Sequence, residues 1–239
     1  MIKIKNIFLP EKINSYYIFS EHILVFELGY TILRATLIKA HRNKRSIKKF
    51  VEEQYIHNEP LTLVQAIKNC VNQLGNYTNV YIALPSHYAT FKELTVPFTN
   101  WEKIKLILPF EVESLLPWPL HDALIDAVIN ATDQENNKSE IFVMALQKSV
   151  FKNSINPFIE AGITPSKVTL GIIELYGLIQ DIPSYKQDFN NQSVSVLIDL
   201  DNNATKIVIT INGKIKTIRI LQQGIDPELM RLDLGVRKD

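Results

Sequence analysis

Apolar positions along this chain recur either at every second residue or at steps of three and four, and each change of spacing marks an element. Ile23-Leu24-Val25-Phe26-Glu27-Leu28-Gly29 is a short apolar run that ends at a glycine, as a buried strand does. Thr31 to Ala40 continues with β-branched and apolar residues, so Gly29-Tyr30 reads as a tight hairpin turn. The apolar positions of the next element, Ile47, Phe50, Val51 and Tyr55, suit a helix nearly as well as a strand. A strand over Ile47 to Ile56 is assigned because a second hairpin is the more economical topology. Leu63, Ala66, Ile67, Cys70, Val71 and Leu74 form one stripe, which predicts a helix over Leu61 to Leu74 with Gly75 as its C-cap. Asn79 to Leu84 is then a strand stopped by Pro85.

Beyond Pro85 the pattern changes. Phe91 to Val96 reads as a strand, and Asn100 as the N-cap of a helix with Trp101, Ile104, Ile107 and Leu108 on one face. This helix runs into L-P-F-E-V-E-S-L-L-P-W-P, where Trp118 stands between Pro117 and Pro119. Proline inside a helix removes a hydrogen bond and costs about 3 kcal/mol, so a kink or break near Ile107 to Pro109 is expected, giving two helical pieces. Leu124 to Ala131 and Ile141 to Leu146 are strands joined through the polar stretch Asp133 to Lys138. Helix Ser149 to Ala161 ends at Gly162, followed by strand Lys167 to Leu170 and helix Ile172 to Ile179. Ile182 to Gln192 is polar and reads as a linker. Three strands follow, Val194 to Leu200, Thr205 to Ile211 and Ile215 to Leu221, the last two joined by the type I′ hairpin signal Asn212-Gly213. A short amphipathic helix is expected at roughly Pro227 to Leu234.

Composition narrows the function classes. Of 239 residues, 46% are apolar and 21% charged, and Lys plus Arg (26) nearly cancels Asp plus Glu (25). No global field points to nucleic acid or to a membrane. The local cluster from His41 to Arg45, continued by Lys48 and Lys49, reads as a solvated hairpin tip or as a contact to acidic lipid or a partner. Cys70, the single cysteine, excludes a disulfide frame and a thiolate metal cage, and its place in an apolar stripe reads as a buried small hydrophobe. The N-terminus M-I-K-I-K-N-I-F-L-P lacks the features of a secretory signal, and no window reaches the ~18 to 20 apolar residues that cross a bilayer.

Two parts of the chain share a plan. Ile23 to Gly29 opens one three-strand meander and Val194 to Asp201 opens another, each first strand ending in an acidic residue followed by a turn. This arrangement resembles the actin/Hsp70/sugar-kinase superfamily, in which two such half-domains clasp ATP and the turns hold phosphate and metal. Four segments carry a closer likeness. They are Ile23 to Ile38; V-Y-I-A-L-P-S-H-Y-A-T-F-K-E-L-T-V-P-F from Val80 to Phe98; Lys103 to Asp126, with L-P-F-E-V-E-S-L-L-P-W-P; and Phe158 to Leu178, with E-A-G-I-T-P-S-K-V-T-L. Over roughly Ile23 to Glu228 the chain resembles the PilM/GspL family, actin-like cytoplasmic proteins of type IV pilus and type II secretion machines.

The resemblance implies an α/β fold of actin-like (ribonuclease-H-like) half-domains with an inserted small α+β subdomain, the second half-domain being reduced or truncated. The corresponding division is an N-terminal extension at 1–22, a first half-domain at 23–84 and 147–182, the insert at 85–146, a linker at 183–192 and a partial second half-domain at 193–239. The chain stops at Arg237-Lys238-Asp239 with no membrane helix, where a full PilM continues and GspL-type proteins enter one. The sequence leaves open whether this is a natural minimal form or a shortened one.

A phosphate turn needs an Asp that reaches the metal and a Gly that lets backbone N–H groups approach phosphate. The first turn offers Glu27, Gly29 and Thr31, with an acid one methylene longer than expected. The second offers Asp199 and Thr205, with Asp201 where a glycine is expected. The adenosine-holding segment should follow a glycine pair, of which Gln222-Gln223-Gly224 supplies one. These departures predict weak or absent binding of ATP with Mg and no useful hydrolysis, the turns serving as tight hairpins. Metal chemistry finds no spacing among His22, His41, His57, His87 and His121. Ser86-His87 lacks the glycines of a nucleophile elbow, and Glu111 and Glu113 point in different directions on a helix.

Trp118 is read as a packed corner or as a rigid aromatic anchor at a partner groove. The family likeness implies two partners: the tail of a PilN-like inner-membrane protein, and the secretion or pilus-assembly ATPase. The expected role is a non-catalytic cytoplasmic scaffold, peripheral to the bacterial inner membrane and meeting it only through partners, with no nucleic acid and with a homo-dimer left open. The alternative is an ATP-binding ATPase or kinase of the same superfamily.

Overall fold

The computed structural model describes residues 12–13, 16–42, 44–182 and 194–225. The helix expected at Pro227 to Leu234, nearly all of the linker and the first eleven residues lie outside them. In chain order the elements are β1 (Lys12–Ile13), β2 (Tyr16–Leu28), β3 (Ile32–Arg42), β4 (Lys44–Gln54), α1 (Pro60–Leu74), β5 (Asn79–Leu84), β6 (Ala89–Val96) and α2 (Trp101–Glu113). There follow β7 (Ala123–Asp133), β8 (Lys138–Gln147), α3 (Lys148–Glu160), β9 (Lys167–Leu170), α4 (Gly171–Asp181), β10 (Val194–Leu200), β11 (Thr205–Ile211) and β12 (Lys214–Leu221). Backbone contacts divide the chain into two units, Met1–Pro85 with Asn153–Gly171, and Ser86–Lys152 with Ile172–Asp239.

The first unit is built on a sheet of order β4-β3-β2-β5-β9, with β1 added beside β2. β2, β3 and β4 form an antiparallel meander, while β5 runs parallel to β2 and β9 parallel to β5. Parallel pairing requires a crossover, and α1 provides it between β4 and β5. On one face Leu24, Phe26 and Leu28 stand opposite Leu37, Ala35 and Leu33, all buried. The α1 stripe covers this face, and Phe158 of α3 meets Phe26 edge-on, ring centroids 5.2 Å apart. Cys70 is buried in that stripe; burial first, and then Glu53, push its thiol up to about 12, so it packs as a small hydrophobe. β2 begins at Tyr16, well before the Ile23 expected from the apolar run. The long β3 gives its early part a pairing partner, Glu21 lying opposite Ala40 and Tyr17 opposite Arg42.

The second unit contains two three-stranded sheets, β6-β8-β7 and β10-β11-β12. β8 is the pivot, because its two faces belong to different cores. Ile141 and Val143 join Val96, Ala127 and the Ile104, Leu108 and Val112 stripe of α2. Phe142, one residue out of phase, joins Ile172 and Tyr176 of α4 with Val208, Ile215 and Ile218 of the other sheet. Burial on both faces explains why the I-F-V-M-A-L run of β8 shows no polar alternation.

Asn100 caps α2, its side chain accepting from the Lys103 N–H at 3.1 Å. The expected break does not occur: α2 is continuous from Trp101 to Glu113 with Pro109 inside it. The N–H that proline lacks would have bonded the Lys105 carbonyl, which belongs to an exposed residue that water can reach. Meanwhile Ile104, Leu108 and Val112, on either side of Pro109, are held in one core, and this burial offsets the lost bond.

Candidate functional site

The two acid-and-turn segments lie in different units. In the first, β2 ends at Leu28, and Gly29 donates its N–H to the Ile32 carbonyl at 3.0 Å, closing the turn. A Cβ on Gly29 would stand 2.7 Å from that same carbonyl oxygen, so the hairpin itself demands glycine here. The Gly29 carbonyl accepts from the Tyr55 hydroxyl at 2.5 Å, and the Thr31 carbonyl from the Tyr55 N–H at 2.9 Å. Tyr30 stacks on His57, ring centroids 4.0 Å apart. Glu27 is one of three residues aligned across the meander: it lies opposite Arg34, which lies opposite Glu52. The Arg34 guanidinium reaches Glu52 at 2.8 Å and Glu27 at 3.5 Å, so the acid of this turn faces a cation of its own sheet.

In the second segment, β10 carries Asp199 directly opposite Lys206 of β11. The Lys206 ammonium donates to Asp199 at 2.8 Å and lies 3.5 Å from Asp201. Its side chain is only 13% exposed. Burial alone would lower the Lys206 pKa, but the hydrogen bond and charge of Asp199, and then Asp201, outweigh it and hold the ammonium above its ordinary value. Asp201 shapes the turn through its backbone, donating to Ala204 O at 2.9 Å and accepting from Ile225 N at 3.0 Å. The Thr205 hydroxyl donates to the Gln223 carbonyl at 2.7 Å. Thus Asp199 and Asp201 do come together, around a lysine that the sequence reading left out, while Thr205 bonds the Gln223 carbonyl instead. Only the register of β10 on β11 reveals it; the spacing of seven residues carries no signal on its own.

Lys206→Met is expected to lower stability by about 1–3 kcal/mol near neutral pH, because two half-buried carboxylates lose their counter-charge. The pH dependence has a definite sign. A raised lysine pKa contributes fully below the unfolded lysine value of about 10.4 and is lost as pH climbs through the folded value. Urea unfolding between about pH 8 and pH 11.5 should therefore show an alkaline loss in the parent chain that is smaller in the variant. An identical pH profile for both would show that Lys206 contributes no such pairing.

The other residues singled out by sequence are placed as follows. Trp118 is half-buried after α2, and its indole N–H is buried without a hydrogen-bond partner among the described residues. Ser86 is buried and its hydroxyl accepts from Ile172 N at 3.0 Å, which caps the start of α4 rather than presenting a nucleophile. Glu111 and Glu113 are both exposed on α2. No group of three or more His, Cys, Asp or Glu among the described residues could hold a metal ion. Among the described residues no helix is long and apolar enough to cross a membrane.

A meander followed by two parallel strands, in the order β4-β3-β2-β5-β9 with helices in the crossovers, defines the actin-like, ribonuclease-H-like α/β class. Within that class the chain superposes on a chain of the PilM-PilN type IV pilus biogenesis complex with a TM-score of 0.74 at 18% identity, covering 90% of this chain and 66% of that one. It also matches the cytoplasmic domain of EpsL, an inner membrane component of the type II secretion system of Vibrio cholerae, with a TM-score of 0.56, 10% identity and coverage of 91% and 76%. A Bacteroides thetaiotaomicron protein of actin-like ATPase fold and unknown function gives a TM-score of 0.50, 12% identity and coverage of 90% and 75%. The chain therefore spans just under two thirds of the pilus protein it matches. No protein-family model matches the sequence, and no curated protein does.

Proposed function

We propose that this chain is a non-catalytic cytoplasmic scaffold in the inner-membrane assembly platform of a type IV pilus or type II secretion system. The observation that carries the reading is the superposition on the PilM-PilN structure over 90% of the chain. The chemistry of the two turns supports it. The cation that balances Asp199 and Asp201 is the chain's own Lys206, and Glu27 faces Arg34, so neither turn offers carboxylates waiting for a metal-bound phosphate. In this reading Glu27, Gly29, Thr31, Asp199, Asp201 and Thr205 are relics of a phosphate site that now serve as hairpin architecture. Residues 85–146 form the inserted subdomain, and the docked partners are the tail of a PilN-like membrane protein and the assembly ATPase. This reading assigns Trp118, half-buried after α2, to the partner groove as an aromatic anchor offered through the exposed part of its ring.

Two measurements test this. Affinity purification from detergent-solubilised native membranes is expected to recover a protein with one N-terminal membrane helix, and Trp118→Ala to recover distinctly less; recovery of metabolic enzymes alone would count against the scaffold. With about 1 mM Mg-ATP a dissociation constant above about 1 mM limits stabilisation to about 0.4 kcal/mol, so the thermal midpoint should hardly move. A clear ATP-dependent rise accompanied by phosphate release would establish the ATPase reading instead. Gly29 substitutions are unsuitable for this test, since any Cβ there disturbs the hairpin.

A further inference from the structure

Between Glu27 and Glu52 the sequence holds Arg34, Lys39, Arg42, Lys44, Arg45, Lys48 and Lys49 and no Asp or Glu, in a chain whose net charge is only +1. The structure folds most of them into the distal half of the β3–β4 hairpin, where residues 41–42 and 44–50 are all exposed. Among the described residues Arg42, Lys44, Arg45 and Lys48 have no carboxylate within ion-pair distance, while Lys49 turns back to the Gln73 carbonyl of α1. Lysines alone could be explained as protection of an edge strand, since among the described residues β4 pairs only with β3 and charges discourage further pairing. That explanation does not cover Ile47 and Phe50, which are 72% and 52% exposed.

Their placement is not an accident of alternation. Three residues apart on a regular strand, Ile47 and Phe50 would point to opposite faces. The register shifts between Leu37 and Ile38, however, so that Ile47 lies opposite Ile38 and Phe50 opposite Thr36, with Lys48 taken up as the extra residue. Thr36 and Ile38 share a face of β3, and this face is the one turned away from α1, because Lys49, opposite Leu37, reaches the helix. The bulge thus brings two exposed apolar side chains together, with Arg45, opposite Ala40, on the same side. A small apolar wedge flanked by Arg45 on its own face and by Lys44 and Lys48 along the strand matches an anionic bilayer surface, where phosphate headgroups meet the charges and the acyl boundary meets the wedge.

We propose that the β3–β4 hairpin tip docks directly on the surface of an anionic lipid bilayer, in addition to any attachment through partner proteins. This surface does not depend on the scaffold reading. The test is flotation of the whole chain with vesicles of phosphatidylglycerol and phosphatidylcholine against vesicles of phosphatidylcholine alone. Binding is expected only with the anionic vesicles, and to weaken at least about tenfold when salt shortens the screening length from about 10 Å to about 3 Å. The triple variant Lys44→Gln, Arg45→Gln, Lys48→Gln should lose at least about tenfold in vesicle affinity. Ile47→Ser with Phe50→Ser should lose several-fold and become more salt-sensitive, since only the charge attraction is left. All five residues are exposed, and unchanged thermal midpoints would verify that the variants fold. Equal binding to neutral vesicles, no binding to either, variants that bind like the parent, or preferential capture by an acidic polypeptide such as polyglutamate would each overturn the proposal.

Discussion

Phe142→Ala is expected to lower the unfolding free energy by about 3–5 kcal/mol, the largest loss from any single truncation considered for this chain. Phe142 is 1% exposed and sits on the second face of β8, among Ile172, Tyr176, Val208, Ile215 and Ile218, with the Phe91 ring 6.0 Å away. These neighbours come from a helix and from strands of two different sheets. None can move into the space a ring leaves without disturbing its own ladder or turn, so the cavity penalty adds to the lost burial. The Tyr176 hydroxyl, which donates to the Gly213 carbonyl at 2.7 Å, fixes α4 against the β11–β12 turn and limits relaxation further. Urea denaturation should show the loss as a shift of midpoint at constant slope. Leu106→Ala, on the exposed side of α2 at 73% exposure, is the control and should change stability by less than about 0.5 kcal/mol. Equal effects of the two substitutions would refute the two-faced role of β8.

Gly224→Ala is expected to cost about 3 kcal/mol or more, through steric collision with backbone rather than loss of burial. A Cβ at this position would stand 2.0 Å from the Asn202 carbonyl oxygen and 2.4 Å from the Asn203 nitrogen. The neighbourhood cannot easily give way. Ile225 N–H bonds the Asp201 carbonyl at 3.0 Å, and the Gln223 carbonyl accepts from Thr205 at 2.7 Å, so the segment is pinned on both sides of the glycine. Hydrogen exchange at the Ile225 amide should accelerate in the variant along with the fall in urea midpoint. A variant within about 0.5 kcal/mol of the parent would mean that this approach is not tight in solution. The close contact accounts for the glycine in Gln222-Gln223-Gly224.

Local signals in the sequence were dependable wherever one residue's own chemistry decides the backbone. Asn212 and Gly213 both adopt positive φ, 53° and 70°, as the type I′ turn between β11 and β12 requires. Gly162 after α3 and Gly75 after α1 each have φ of 82°, where a side chain would be strained. Asn79–Leu84 and Lys167–Leu170 are strands with the bounds their apolar runs suggest. Pro109 shows the limit of such rules. Its penalty is local, but the packing of Ile104, Leu108 and Val112 outweighs it, and no reading of the helix alone reveals that packing.

The site was legible only in outline. Glu27, Asp199 and Asp201 could be found as acids ahead of turns, yet their partners Arg34 and Lys206 come from neighbouring strands and are defined by register. The same holds for Ile47 and Phe50, whose spacing places them apart until a bulge brings them to one face.

What the sequence determines by itself is the order and kind of most of the described elements, the turns that join them, and, through the repeated meander, the actin-like class. These depend on periodicity and on the backbone preferences of glycine, proline and asparagine, which act over a few residues. The tertiary structure alone decides which carboxylates carry a counter-charge, which helix tolerates a proline, which glycine is pressed against a neighbouring loop and which apolar side chains are left facing outward. Each of these is a property of residues far apart in the chain meeting at a particular register, and register is set by the pairing of whole strands.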